Sequence, residues 1–174
     1  MNITKLLVLF AIVLNFTAYG QTKDNWKTLN ENNYTIKYPG SWELNQAGQL
    51  GTSFVLFSPL SSEQDQFKEN INLLIQDLTD LYFNLDEYVQ LSLNQIKTMA
   101  TTPETIKSKR IESNSANYQK VIYTAKQGDF LLKFEQYYWV KNNKAYVLTL
   151  TCEENQFATF KMVGEKILNS FQIR

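Results

Sequence analysis

The side chains that could do chemistry are few, and the most informative of them is the single thiol, Cys152. A catalytic cysteine needs a base that forms the thiolate, and the usual base is histidine. The chain contains no histidine, which excludes the Ser-His-Asp triad, the Cys-His pair and nearly every zinc or copper site. We therefore expect Cys152 to be a small buried residue without a partner for a disulfide.

Carboxylates come closest to a site, around the start of the first predicted helix at Asp77, Asp80, Asp86 and Glu87. Clustered oxygens could bind calcium, but the spacing matches no calcium loop, and the helix dipole alone favours acids at a helix start. The pair Glu153-Glu154 is interpreted in the same way. A paired-carboxylate glycosidase would need two acids across a cleft, which the sequence does not show.

Two other motifs carry no chemistry in our interpretation. Gly48 and Gly51 lack the lysine and the spacing of a phosphate-binding loop. The run Tyr137-Tyr138-Trp139 could form an exposed platform for a sugar or a lipid, but strand alternation sends neighbouring side chains to opposite faces. Core positions are therefore favoured for these three aromatics. The sequence predicts no catalytic residues, no cofactor-binding residues, no cofactor and no metal site.

The N-terminus is typical of an export signal. Lys5 is followed by the apolar run Leu6 to Leu14, and Ala18-Tyr19-Gly20 places small residues where a signal peptidase cleaves. Nine apolar residues in a helix reach about 14 Å, against roughly 30 Å of hydrocarbon, so an uncleaved anchor is the weaker alternative. We predict a signal peptide at residues 1–20, a single domain at 21–174, and an extracytoplasmic location, either periplasmic or secreted, without stable membrane insertion once the leader is removed.

The charge balance limits the partners. Lys and Arg together number 17, as do Asp and Glu, and nucleic acid or anionic lipid would require clustered positive charge. The short basic cluster Lys107, Lys109 and Arg110 is interpreted as solvated. No nucleic-acid partner is predicted.

Hydrophobic periodicity predicts an α+β domain. Alternation predicts strands, and recurrence at three and four residues predicts two helices with apolar stripes. The first helix is capped by Asn84 with Glu87, and its stripe runs from Leu85 to Ala100 and includes Met99. The second helix follows Glu153-Glu154, with a stripe from Phe157 to Phe171. The predicted strands are Tyr34 to Tyr38, Thr52 to Ser58, Asn70 to Leu78, Thr105 to Glu112, Asn117 to Ala125, Phe130 to Val140 and Ala145 to Cys152.

The last two strands give the strongest structural inference. Asn142-Asn143 fits a two-residue hairpin turn, since asparagine tolerates the positive φ that this turn requires. Val140 then faces Ala145, and Trp139 faces Tyr146. With this register, both faces of the two-stranded ribbon carry apolar residues. A sheet with one face in water would instead alternate polar and apolar residues along each strand. We therefore predict an antiparallel sheet packed between α-helices, an α/β/α sandwich.

The order of these segments resembles the PsbP-like family, whose best-known member is an extrinsic photosystem II subunit. The resemblance runs from about Tyr34 to Phe171, and its strongest pieces are Tyr38-Pro39 with Trp42, then Ala145-Tyr146-Val147-Leu148-Thr149, then Ser170-Phe171. These are core or turn positions, so they indicate a fold and not a site. The resemblance implies an exported, non-catalytic accessory or protein-interaction domain that binds another extracytoplasmic protein. The alternative is a carrier or sensor that holds a small hydrophobic ligand between sheet and helix.

Overall fold

The computed structural model describes residues 25–48, 51–113 and 116–174, so the predicted signal peptide lies outside the described residues. The elements of the described part are, in chain order, β1 (Lys27–Asn30), β2 (Tyr34–Tyr38), β3 (Glu43–Asn45), β4 (Thr52–Phe57), β5 (Asn70–Asp77), α1 (Leu85–Met99), a 3-10 turn (Pro103–Thr105), β6 (Lys107–Ser113), β7 (Ala116–Gln127), β8 (Phe130–Lys141), β9 (Lys144–Glu153), α2 (Phe157–Leu168) and β10 (Gln172–Ile173). Neither helix is long and apolar enough to cross a membrane.

The strands form two sheets. The larger has seven strands in the order β3-β4-β5-β9-β8-β7-β6, and each neighbouring pair is antiparallel. The smaller has the order β1-β2-β10. Between β5 and β9 the chain passes through α1 and the meander β6-β7-β8, so β9 returns to close the centre of the large sheet.

The hairpin between β8 and β9 has the predicted register. Val140 pairs with Ala145, and Trp139 pairs with Tyr146. Asn142 and Asn143 both have positive φ, 52° and 54°, as a two-residue turn that matches the strand twist requires. The turn therefore fixes which side chains point to each face of the sheet.

Both faces of this ribbon are buried, as predicted. On one face, Tyr138, Ala145 and Val147 pack with the inner side of α1. On the other, Tyr137, Tyr146 and Leu148 pack with α2 and the small sheet. The two layers of apolar contacts form separate clusters, one on each side of the large sheet, and the α+β sandwich with helices on both faces is confirmed.

The start of α1 also matches its prediction. The Glu87 backbone N–H donates to Asn84 Oδ1 (3.0 Å), and the Asn84 backbone N–H donates to Glu87 Oε2 (2.9 Å). This reciprocal capping box satisfies two N–H groups that the helix itself cannot pair. At the other end of the predicted stripe, Met99 is 57% exposed. The stripe is therefore buried at Tyr88, Val89 and Ile96 but not at Met99.

The layer on the α2 side of the large sheet contains more elements than the sequence predicted. The small sheet shares the cover of one face with α2 and contributes Leu29, Tyr34 and Ile36 to its core. Its strands β1 and β10, like β3 in the large sheet, were not predicted. All three have four residues or fewer, too few to display an alternation.

Gly164 allows α2 to approach β9 closely. A Cβ at this position would lie 2.6 Å from Leu150 Cδ2 and 3.1 Å from Cδ1, and Leu150 is completely buried. Leu150 therefore has no free space into which its methyl groups can move.

We predict that Gly164→Ala destabilises the domain. Alanine improves helix propensity by up to about 1 kcal/mol, but overpacking a filled core costs about 1–3 kcal/mol, so we expect a net loss of about 1 kcal/mol in the free energy of unfolding. Chemical denaturation measures this loss. Met162→Ala, at an 83% exposed position on the same helix, should stay within about 0.5 kcal/mol. An equal loss in both variants would argue against the close contact.

Candidate functional site

A group of aromatic side chains lines a groove of about 580 Å³ between the end of α2 and the face of β7 and β8. Tyr118 and Tyr137 stack with ring centroids 4.5 Å apart, and Trp139 lies 5.2 Å from Tyr118 and 5.2 Å from Phe171. Tyr137 is buried as the floor, whereas Tyr118 and Trp139 are only half-buried. The groove therefore offers aromatic surface to a ligand.

The edges of the groove are polar. They carry the amide side chains of Asn117, Asn169 and Gln172, together with Lys141, whose ammonium donates to the carbonyl of Ile173 (3.3 Å). An amide side chain can both donate and accept a hydrogen bond. Rings in the floor and hydrogen-bonding groups along the edges can thus contact both the apolar and the polar parts of a ligand.

Phe171 connects the groove to both sheets through contacts of its ring. Its ring lies 5.6 Å from Tyr34 of the small sheet and 6.3 Å from Tyr146 of the large sheet. The Ser170 hydroxyl, next in the chain, donates to Ile167 O (2.6 Å) and accepts from the Lys37 backbone N–H (2.9 Å). The segment after α2 is thereby fixed against both sheets and forms one side of the groove.

A partly buried group of charges lies beside the aromatic floor. The Lys120 ammonium is 2.5 Å from Glu135 Oε1 and 2.8 Å from Glu165 Oε1, and it lies 5.5 Å from the centroid of the Tyr137 ring. Glu135 is completely buried, and its Oε2 has no hydrogen-bond partner among the described residues. We call Lys120, Glu135 and Glu165 the ion triad.

The ion triad links three elements. Lys120 is on β7, Glu135 on β8, and Glu165 on α2. Leu168 and Asn169, which line the groove, follow Glu165 by three and four residues and so lie on the same side of the helix, one turn further on. The ion triad therefore sets the distance between α2 and the strands that carry the aromatic floor.

The electrostatics follow from burial and from this pairing. Burial alone would lower the pKa of Lys120, but Glu135 and Glu165 outweigh it, and the pKa is raised. Burial, reinforced by the negative charge of Glu135, raises the pKa of Tyr137 well above its usual range. Lys120 therefore stays charged and Tyr137 stays neutral near neutral pH, which suits a binding surface and provides no nucleophile.

A second buried carboxylate, Glu69, lies beside Cys152. Glu69 is completely buried, the Ser58 hydroxyl donates to its Oε2 (3.4 Å), and burial raises its pKa. Cys152 is also completely buried, and burial, with the nearby charges of Glu69 and Glu135, raises the pKa of its thiol. The prediction that Cys152 is a buried residue is confirmed, and its sulfur is neither accessible nor ionised near neutral pH.

The acids around the start of α1 are engaged locally. Asp77 Oδ1 accepts from the Thr79 backbone N–H (2.8 Å), Asp86 pairs with Arg110 (3.1 Å), and Glu87 belongs to the capping box. Within residues 25–48, 51–113 and 116–174 no three His, Cys, Asp or Glu side chains are arranged to hold a metal ion. Lys107 and Lys109 are exposed on β6, as the solvated interpretation predicted.

The aromatic run divides as alternation requires, yet two of its members meet again in the groove. Tyr137 and Trp139 face α2, and Tyr138 faces α1. Sequence reasoning missed their neighbours Tyr118 and Phe171, and it missed the ion triad. One signal was available in the sequence. Lys120 lies two residues from Tyr118, and Glu135 lies two residues from Tyr137, and residues two apart on a strand share a face. This spacing places charged and aromatic side chains on one face of paired strands.

A wider depression on the outer side of α2 is a weaker candidate. It is shallow and open to solvent, and most of the residues that line it are charged or polar, such as Lys161, Lys166 and Asn169. Met162 is its main apolar group. It has no aromatic floor, so the groove remains the candidate site.

The α+β fold is PsbP-like, which confirms the fold that the resemblance in the sequence implied. The cyanobacterial PsbP of Synechocystis sp. PCC 6803 superimposes with a TM-score of 0.60 at 13% identity, covering 89% of this chain and 96% of that one. A protein of unknown function from Pseudomonas aeruginosa, PA94, gives a TM-score of 0.58 at 12% identity, covering 86% and 97%.

A third similar structure is LpqN of Mycobacterium tuberculosis, described as involved in cell envelope biogenesis, with a TM-score of 0.56 at 9% identity and coverage of 85% and 90%. No protein-family model and no curated protein sequence matches the chain. At these identities the likeness concerns the fold alone.

We predict that Lys120→Met destabilises the domain by about 3 kcal/mol, because it leaves the fully buried carboxylate of Glu135 without its cation, together with the partly exposed carboxylate of Glu165. Adding Glu135→Leu should recover much of that loss, since an apolar pair replaces a charged one. Lys109→Met is the matched control, because Lys109 pairs with Lys120 across β6 and β7 but is exposed. Denaturation midpoints measure the series, and equal losses at positions 109 and 120 would contradict the role of the ion triad.

The buried tyrosines predict an alkaline limit to stability. The pKa values of Tyr34 and Tyr123 are raised by burial to about 12, and that of Tyr137 is also raised. A pKa raised in the folded state gives stability that is complete below the unfolded pKa of about 10 and is lost as pH rises toward the folded pKa. The buried Cys152 thiol, whose pKa is also raised, adds the same effect from its unfolded pKa of about 8.5. The free energy of unfolding should therefore begin to fall above about pH 9 and fall more steeply above about pH 10.

Absorbance at 295 nm checks the same prediction directly. The native protein should ionise fewer tyrosines at about pH 11 than the protein unfolded in guanidinium, and Tyr137→Phe should reduce only the late part of the native titration. Native and unfolded titration curves that superimpose would show that these hydroxyls are not buried.

Proposed function

We propose that this protein is an exported accessory domain that acts by binding another extracytoplasmic protein and performs no catalysis. The observation that supports it best is the aromatic groove, because it combines accessible ring surface with hydrogen-bonding amides and lacks a nucleophile or a base. The chain has no histidine, and Cys152 is buried with a raised pKa. The groove therefore fits recognition better than chemistry.

The location outside the cytoplasm is supported from two sides. The first twenty residues have the pattern of a signal peptide. The similar structure LpqN is described as involved in cell envelope biogenesis. A domain without an internal disulfide and with both sheet faces packed depends on its core for stability, and such a domain suits a soluble accessory role in that compartment.

The groove favours part of a protein over a free hydrophobic ligand. A carrier site usually encloses most of its ligand in apolar surroundings, whereas this groove is open along one side and has amides and a lysine on its edges. A segment of a larger chain can leave one side in water without cost. The second candidate function, a carrier or sensor of a small hydrophobic ligand, is supported by the groove volume of about 580 Å³, which lies within the range of ligand pockets.

A photocrosslinking experiment tests the proposal. A benzoylphenylalanine side chain is introduced in place of Asn117, on the edge of the groove, and separately in place of Thr98, an exposed position on α1. Irradiation of the native extracytoplasmic fraction should give a discrete protein adduct from position 117 and none from position 98. Tyr118→Ala in the same chain should abolish the adduct while circular dichroism remains unchanged.

Two results would contradict the proposed function. Adducts of equal yield from both positions, or an adduct that persists with Tyr118→Ala, would show that the groove is not the binding surface. A small molecule that remains bound to the purified protein in native mass spectrometry and is lost from the Tyr118→Ala variant would favour the carrier.

A further inference from the structure

The aromatic and the charged side chains of the groove lie in different parts of it, and this arrangement indicates what the groove can bind. The rings of Tyr118 and Trp139 provide an aromatic surface, and Lys141 is the only charged side chain among the described residues that line the groove. Lys141 is the last residue of β8, immediately before the hairpin turn. Aromatic surface thus lies next to a positively charged side chain.

Lys141 is held by a weak partner. Its ammonium donates to the neutral carbonyl of Ile173 at 3.3 Å, and the residue is exposed. A carboxylate is a considerably stronger acceptor for an ammonium than a carbonyl is. Of the acids in the neighbouring wall, Glu135 and Glu165 are both engaged by Lys120, so no acid lining the groove competes for Lys141. An incoming carboxylate could therefore replace the carbonyl of Ile173.

The amides on the edges fit a peptide backbone. Asn117 lies on β7, and Asn169 and Gln172 lie across the groove on the segment after α2. Each amide has a donor and an acceptor, which is also what a peptide group has. The strand β10, which includes Gln172, pairs with β2 on one side only, so its backbone borders the groove as a sheet edge.

We propose that the groove binds a segment of a partner protein in which an aromatic residue stands beside an acidic one. The aromatic ring contacts Tyr118 and Trp139, the acidic side chain binds Lys141, and the segment's backbone bonds the amides on the edges. This inference rests on the proposed function and specifies the chemistry of the partner at the same site. The charge preference is its distinguishing feature, because a purely apolar groove would have none.

Calorimetric titration of the mature protein with short capped peptides tests the proposal. The probes are acetylated and amidated hexapeptides of sequence GSWDSG, GSWKSG and GSADSG. We expect saturable binding of GSWDSG, binding about tenfold weaker for GSWKSG because its lysine meets Lys141, and no measurable binding of GSADSG because it lacks the ring.

Charge reversal provides the specific control. Lys141→Glu should invert the preference, so that GSWKSG binds more tightly than GSWDSG. Lys126→Glu makes the same change in net charge at an exposed position six residues along β7 from Lys120 and should leave the preference unchanged. A preference that shifts equally in both variants would reflect net charge only and would overturn the role of Lys141.

The remaining outcomes separate this inference from the proposed function. If no hexapeptide binds at millimolar concentration while the crosslink from position 117 still forms, the aromatic-acidic chemistry is wrong and the proposed function stands. If free indole-3-acetate binds as tightly as GSWDSG, the groove recognises a small aromatic acid and the inference of a protein segment is overturned. If neither a peptide nor the crosslink is observed, both proposals fail.

Discussion

Every residue of β9 from Ala145 to Cys152 is buried, and a strand that is dry on both faces needs a cover on each side. The helix α1 covers one face, and α2 with the small sheet covers the other. Because β9 lies between β5 and β8 at the centre of the large sheet, its burial also fixes the faces of the neighbouring strands. The positions of the helices, the small sheet and the groove all follow from this one constraint.

Much of the fold could be predicted because the elements around β9 have strong local signals. The hairpin register followed from Asn142-Asn143, and the start of α1 followed from Asn84 and Glu87, since both depend on residues close in sequence. The short strands β1, β3 and β10 could not be predicted, because each is defined by the partner that it pairs with. The small sheet joins Lys27–Asn30 to Gln172–Ile173 through β2, and local periodicity carries no information about such distant pairing.

The candidate site was less predictable than the fold for the same reason. Its parts come from β7, β8, the end of α2 and the segment that leads into β10. Alternation placed Tyr137 and Trp139 on one face, but Phe171 reaches them only through the packing of the small sheet. The ion triad could not be predicted either, because Lys120 and Glu165 are far apart in the chain. Within its own segment, each has the pattern of an ordinary surface charge.

The ion triad and the groove suggest how this fold can change its partners without losing its core. A buried ion pair adds little net stability relative to an apolar pair, so Lys120, Glu135 and Glu165 matter chiefly for where they hold α2. The aromatic floor belongs to the core cluster between the large sheet and α2, and its outer rings, Tyr118 and Trp139, are only partly buried. Substitutions at these outer rings and at the edges would therefore alter recognition more than folding. Similar structures at 9–13% identity share the sandwich, and a shared sandwich places no requirement on the groove. The binding preference of this chain must accordingly be determined from its own residues at the groove.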